Sequence, residues 1–328
     1  MTSTSASATA TSAGKQRKLL LIGSGFIATS LAKAALSQWG WQVHMLYRNH
    51  RPAALDGIAL DQLPADVGAL GSLLAAIAPT DVVLALGSSF VPDINRDLGE
   101  AMRQHLDGPL MIMDAISRLP ATLAGRVLVI GSASEYGQFP EHPVDEAFPT
   151  NPRDHYGHLK LTLRELGLYY HRQHGMPVVH VRQFNVTGPW QDKRFVLPSI
   201  CRQIAEGVRQ GHQAFSIVAG NTAVSRDFLA IDDLCRAYHA LLVHGEPGEV
   251  YNVCSGQAHR ISELIDMAGK LVGARVGVNV SEQLLRENDK VQSVICGNPA
   301  RLQALGWSPR TSMQDLLASM LAHYSAQA

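Results

Sequence analysis

Short apolar runs of strand length alternate with longer amphipathic stretches through the first half of the chain. Lys18–Ile22 is the first such run. Gly23-Ser24-Gly25 follows it, and a helical pattern extends from Phe26 to about Leu36. Trp41–Tyr47 reads as a second strand and the GIAL stretch at 57–60 as a weak third. Asp81–Leu86 (DVVLAL) comes next and ends in Gly87-Ser88-Ser89. Arg126–Ile130 (RVLVI) ends in Gly131-Ser132. A helix from about Tyr156 to His174 then leads to Pro177–Val181 (PVVHV). After Gly188 the alternation loosens, with a helix around Pro198–Arg209 and further segments beyond Ser255.

Strands alternating with helices, joined by connections long enough for crossovers, predict a parallel sheet covered on both faces. Gly23-x-Gly25-x-x-Ala28 sits directly after a strand and opens a helix, the context a dinucleotide-binding loop requires. Gly23 permits the tight turn, and Gly25 lets the backbone approach a pyrophosphate. The first helical residues, Phe26 and Ile27, offer it unpaired N–H groups. The expected fold class is therefore α/β: a Rossmann-type doubly wound parallel sheet with a smaller C-terminal substrate-binding lobe. Residues 1–16 are expected to be a disordered tail and 17–188 the dinucleotide-binding domain, with 222–252 returning to it. Residues 189–328 are expected to form mainly the substrate-binding lobe. Ligands of such sheets bind beyond the carboxyl ends of the strands, which adds Gly87 to the cofactor candidates.

A chain of 328 residues holds one large or two closely joined domains. Lys+Arg and Asp+Glu both number 28, so no broad basic surface for nucleic acid is expected. No apolar run reaches the roughly 18 residues needed to span a bilayer. Cys201, Cys235, Cys254 and Cys296 form no C-x-x-C pair and read as reduced thiols, hence a cytoplasmic protein. His155, His158 and His180 lack metal-ligand spacing, and no metal is expected.

The chemistry is concentrated in Tyr156-Gly157-His158-Leu159-Lys160. Residues four apart share a helix face, so the Lys160 ammonium is expected beside the Tyr156 phenol, lowering a pKa that is ordinarily about 10. A tyrosine tuned this way exchanges a proton with an alcohol or ketone. Ser132, at the end of a strand, supplies a hydroxyl for the carbonyl oxygen as charge grows on it. Where an NAD loop has an acid after the second strand, this chain has Tyr47, Arg48, Asn49 and Arg51. An arginine pairs with a 2′-phosphate where a carboxylate would repel it, so NADP(H) is favoured, with NAD(H) the alternative. Asp61, after the third strand, is placed to reach an adenine amino group.

With these pieces in order, the chain resembles the extended short-chain dehydrogenase/reductase family of sugar-nucleotide epimerases, dehydratases and reductases. The resemblance runs from residue 18 to about 313. It is carried by Gly23–Ala28, Ser132–Gly137, Tyr156–Lys160, Arg182–Pro189, Arg226-Asp227-Phe228 with Asp232-Asp233, Tyr251-Asn252-Val253, Arg286 with Asp289, and Leu305–Pro309. It implies Tyr156 as acid/base, Lys160 as its helper and holder of the nicotinamide ribose, and Ser132 as the polarising hydroxyl. It also implies Asn185, Arg226 and Arg286 as holders of a sugar nucleotide's phosphates. Dehydratases of the family resemble one another in a glutamate two residues before the Tyr-Gly. Ser134 stands there, beside the substrate, and Glu135, on the opposite face of an extended strand end, is not expected to replace it.

The stretches RQFNVTGPWQDKRFVLPSICRQIAEG, RDFLAIDDLCRAY and GEVYNVCSG are most similar to the GDP-4-keto-6-deoxy-mannose reductase subgroup. The resemblance thus implies an NADP(H)-dependent reductase of a nucleotide-linked 4-keto-6-deoxy sugar, acting as a homodimer. The alternatives are an NAD-dependent nucleotide-sugar epimerase and a non-catalytic dinucleotide-binding protein.

Overall fold

The computed structural model describes residues 16–49, 51–53, 55–119, 123, 125–285 and 293–326. The expected tail lies outside these except for Gln16, whose side-chain carbonyl accepts from Gln42 at 3.1 Å.

Six strands appear in the first half: β1 (Lys18–Ile22), β2 (Gln42–Tyr47), β3 (Ile58–Gln62), β4 (Asp81–Leu84), β5 (Val127–Ile130) and β6 (Val178–Gln183). Between them run α1 (Phe26–Ser37), α2 (Val67–Ile77), α3 (Val91–Arg96), α4 (Leu98–Met102), α5 (Gly108–Ser117) and α6 (His155–His174). The second half contributes β7 (Asn185–Thr187), α7 (Val196–Arg209), β8 (Ala214–Ala219), β9 (Ser225–Ala230), α8 (Ile231–His244), β10 (Val250–Val253), β11 (Ala258–Arg260) and α9 (Ile261–Leu271). It ends with β12 (Arg275–Val280), β13 (Val294–Ile295), α10 (Ala300–Gln303) and α11 (Met313–Ala326).

A seven-stranded sheet in the order β10-β6-β5-β4-β1-β2-β3 forms the centre, and each neighbouring pair is parallel. Its central strands are continuous apolar runs because both of their faces are covered. Leu19 and Leu21 pack on one face with α1 and α8. Leu20 and Ile22 pack on the other with α2, α5 and α6. The strand order reverses between β1 and β4, which opens the crevice where ligands of such sheets bind.

The chain leaves this sheet after β6 and returns through α8 and β10. The lobe between and beyond these elements has its own core of Leu197, Ile200, Ile204, Ile265, Leu317 and Met320, drawn from α7, α9 and α11. In the lobe β9 pairs with β7, β11 and β13, and β12 pairs in parallel with β8. None of the helices is long and apolar enough to cross a membrane among the described residues.

Candidate active site

Helix α6 fixes the centre of the site. Asp154 caps it by accepting the Gly157 N–H at 2.8 Å, and Gly175, at φ 63°, ends it. Tyr156 therefore lies in the first turn and Lys160 one turn on, both buried. Gly157 lets this turn approach the segment after β5: a Cβ there would stand 2.5 Å from the Ser134 carbonyl oxygen.

That segment is not the extended strand end expected from sequence. Ala133–Glu135 form a turn of 3₁₀ helix, capped by the Ser132 hydroxyl, which accepts the Ser134 N–H at 3.1 Å. Ser132 thus serves its own turn, and its hydroxyl also acts on the Tyr156 phenol, favouring its ionised form. Lys160 Nζ donates to the Ile130 carbonyl at 2.9 Å and lies 5.7 Å from the centre of the Tyr156 ring. Ser132, Tyr156 and Lys160 are therefore brought together as the spacing predicts.

Their electrostatics depart from expectation. Burial raises the Tyr156 phenol above its ordinary range; the Ser132 hydroxyl works against this, while Glu135 and Asp154 add to it. Burial also brings the Lys160 ammonium down from 10.5 to about 8, with Glu135 opposing. The chain by itself thus keeps Tyr156 protonated, contrary to the lowered pKa that the helix spacing predicts. Desolvation of the buried phenol is the largest cause. A protonated phenol is the state that can donate to a ketone oxygen.

Glu135 is fully buried and turned away from the site, bonded to the Ser132 N–H, His180 and Arg182. These bonds, and not the strand alternation expected from sequence, set the direction of its side chain. Ser134 is half-buried on the turn.

Sequence reasoning missed His105. Pro109 has no N–H to offer the His105 carbonyl, and its ring crowds that oxygen. The helix widens there: Gly108 N–H bonds to the Arg103 carbonyl, giving a π turn over Arg103–Asp107. His105, on this turn, is buried, with its ring centre 5.7 Å from that of Tyr156 in an edge-to-face contact. Burial, and then the Lys160 charge, lower its pKa to about 3, so the imidazole is neutral at physiological pH. The signal was available: a Gly-Pro pair inside a helical pattern marks a break in the α ladder.

The nucleotide loop fits a dinucleotide. Gly23 adopts φ 125°, and a Cβ there would stand 2.3 Å from the Ala85 carbonyl oxygen beyond β4. Gly25 caps α1 without a side-chain hydrogen bond, and a Cβ on it would meet nothing within 4 Å. No acid occupies the first turn of α1, begun by Phe26 and Ile27, so its amides face an open, anion-ready space. Gly87 has φ 89° and abuts the His105 ring. Arg48 follows β2, half-buried, its carbonyl accepting from Gln62 at 3.4 Å. Asp61 lies within β3 rather than after it, with its carboxylate 2.7 Å from His44 Nε2. That engagement differs from a carboxylate free to meet adenine.

Asn185 and Arg226 lie on adjacent strands, since Asn185 of β7 pairs in register with Phe228 of β9. Asn185 Nδ2 donates to the Asp227 carbonyl at 3.1 Å, and Arg226 donates to the Ser225 carbonyl at 2.8 Å. Arg286 and Asp289 lie outside the described residues. Asp233 has a structural task, accepting the Arg310 and Thr311 N–H groups at 2.8 and 3.0 Å. Among the described residues no group of His, Cys, Asp and Glu could hold a metal.

Comparison with known proteins agrees with this geometry. The family model for GDP-mannose 4,6 dehydratase matches residues 20–320. The GDP-6-deoxy-D-mannose reductase of Pseudomonas aeruginosa is 35% identical over 252 residues, covering 76% of this chain and 81% of that one. The UDP-glucose 4-epimerase of Corynebacterium glutamicum is 24% identical over 326 residues, covering 94% and 96%. The structure of RMD from Pseudomonas aeruginosa complexed with NADPH superposes with a TM-score of 0.79 at 31% identity, covering 95% of this chain and 100% of that one. With its sheet order, glycine loop and Ser132–Tyr156–Lys160 cluster, the chain belongs to the GDP-mannose 4,6-dehydratase family within the extended short-chain dehydrogenases/reductases.

Proposed function

We propose that the protein is an NADPH-dependent reductase of a nucleotide-linked 4-keto-6-deoxyhexose. The observation that carries this reading is the buried Tyr156 phenol, kept protonated beside the buried Ser132 and Lys160, with serine rather than glutamate at position 134. When bound, the reduced nicotinamide supplies the hydride. Ser132 donates a hydrogen bond to the ketone oxygen, and Tyr156 delivers the proton as charge develops there. Lys160, anchored on the Ile130 carbonyl, has further N–H groups to hold ribose hydroxyls and so orient the coenzyme. Arg48 suits a 2′-phosphate, and Asn185, Arg226 and Arg286 suit a sugar nucleotide's pyrophosphate. The resemblance to an NADPH-bound neighbour and to a GDP-6-deoxy-D-mannose reductase supports this choice of coenzyme and substrate.

The working form is a cytoplasmic homodimer on this reading. Exposed Leu98, Met102, Leu110 and Tyr169, on α4, α5 and α6, support a protein-covered face there. The glycine loop and central sheet form the coenzyme domain (17–188, with 222–252), and 189–328 mainly the substrate lobe.

The test is incubation with NADPH and GDP-4-keto-6-deoxy-mannose. One coenzyme should be oxidised per sugar reduced, giving a 6-deoxyhexose. Interconversion of sugars with no net loss of NADPH would replace the reading with that of an epimerase. Coenzyme binding without turnover on any keto sugar would leave a binding protein.

A further inference from the structure

Beneath Ser132 lies a charge cluster that hydride and proton transfer do not use. Glu135 Oε1 accepts the Ser132 N–H at 2.9 Å and sits 2.9 Å from His180 Nε2. Glu135 Oε2 sits 3.1 Å from Arg182 Nε. Both partners are buried on β6. Arg182 also donates to the Glu146 carbonyl at 3.0 Å and rests 4.5 Å from the centre of the Tyr136 ring. His180 Nδ1 has no partner among the described residues, so a proton on Nε2 alone leaves no ring N–H unpaired. Gly131 clears the space: a Cβ there would stand 2.1 Å from Glu135 Oε1 and 2.3 Å from His180 Nε2.

A neutral amide at position 135 would also accept the Ser132 N–H. Burying a full charge there is costly unless it is paired, and the protein supplies both an arginine and an imidazole to keep it. The charge sits 2.9 Å from the backbone nitrogen of Ser132, the residue that carries the hydroxyl. We propose that Glu135 is a positioning residue for the reduction, fixing Ser132 through its backbone and helping to hold protons on Tyr156 and Lys160 through its buried charge.

The electrostatics agree in sign. Burial works to raise the Glu135 pKa, but His180 and Arg182 outweigh it and hold the carboxyl below the ordinary range, so it is ionised. At Lys160 burial lowers the pKa to about 8, and Glu135 opposes that fall. At Tyr156 burial raises the pKa, and Glu135 adds to the rise. The other groups facing this pair are Asp154 at the start of α6, which also raises Tyr156, and the neutral His105 on the π turn. Tyr238 on α8 remains protonated, its phenol raised well above the ordinary range by burial. Removing the charge at 135 therefore lowers the pKa of both Tyr156 and Lys160.

This inference deepens the reductase reading and rests on it, so its test reads coenzyme binding, which needs no sugar. NADPH affinity of the wild type, followed by nucleotide fluorescence, should fall as Lys160 loses its proton near pH 8. Glu135→Gln keeps an acceptor for Ser132 and removes the charge; it should move that midpoint toward acid by about one pH unit. An unmoved midpoint in folded Glu135→Gln protein overturns the proposal. If that variant does not fold, Glu135→Gln with Arg182→Met removes both charges and leaves no lone buried ion. It should show the same shift, and an unmoved midpoint there is equally fatal. His180→Gln disturbs the same pocket with the carboxylate intact and should leave the midpoint in place. A shift as large as that of Glu135→Gln would reduce the effect to packing and overturn the proposal. Failure of the wild type to reduce any keto sugar would sink the reductase reading while the binding midpoint still decides the role of Glu135.

Discussion

At Lys160, burial draws the ammonium from 10.5 to about 8, which costs roughly 3 kcal/mol of folding free energy at neutral pH. Between those values the unfolded chain binds more protons than the folded one, so this contribution to stability rises with pH and is complete above 10.5. Lys160→Met has no such proton. The stability of the wild type relative to Lys160→Met, from urea melts, should rise by about 3 kcal/mol from pH 8 to 10.5. A difference that does not change with pH would mean the ammonium is solvated. The pairing of Tyr156 with Lys160 was legible from spacing, because helix geometry alone puts them on one face. The sign of the tyrosine shift was not. It depends on how deeply α6 and the 3₁₀ turn bury the phenol, and no local pattern reports that depth.

At the level of the element, the start of α6 sets how closely Tyr156 approaches Ser132. Gly157→Ala would drive a methyl group against the Ser134 carbonyl and push this turn of α6 away from Ser132. A displacement on the order of 1 Å costs about 100-fold in rate when it separates reacting groups. The variant should therefore lose roughly that much kcat while binding NADPH nearly as tightly as the wild type, as coenzyme titration and steady-state rates would show. Unchanged kcat would mean that the turn adapts without moving the phenol. Strong periodicity made α1 and α6 readable, with ends within a residue of those expected. The segment from Val91 to Ser117 was opaque, since it is broken into two short helices, a π turn and α5. The π turn follows from Pro109, and it carries His105, which packs against Tyr156. The backbone at Glu135 was equally opaque, because a three-residue 3₁₀ turn leaves no periodic mark in the sequence.

Across the whole molecule, four distant stretches converge on one crevice. The ends of β1 and β4 carry the glycines of the nucleotide loop, the end of β5 supplies Ser132, and α6 supplies Tyr156 and Lys160. The strands β1, β4 and β5 were legible because each apolar run leads into a glycine- and serine-rich turn, at Gly23, Gly87 and Gly131. The lobe was less readable: β7, β11 and β13 are two or three residues long and exist through pairing with β9 rather than through their own pattern. The central claim is that one phenol, kept protonated by its burial, completes a ketone reduction. Single-turnover oxidation of bound NADPH by GDP-4-keto-6-deoxy-mannose, compared between wild type and Tyr156→Phe, tests it most directly. The phenylalanine variant should bind NADPH within a few-fold of the wild type and turn over about 100- to 10,000-fold more slowly; turnover at the wild-type rate would contradict the account.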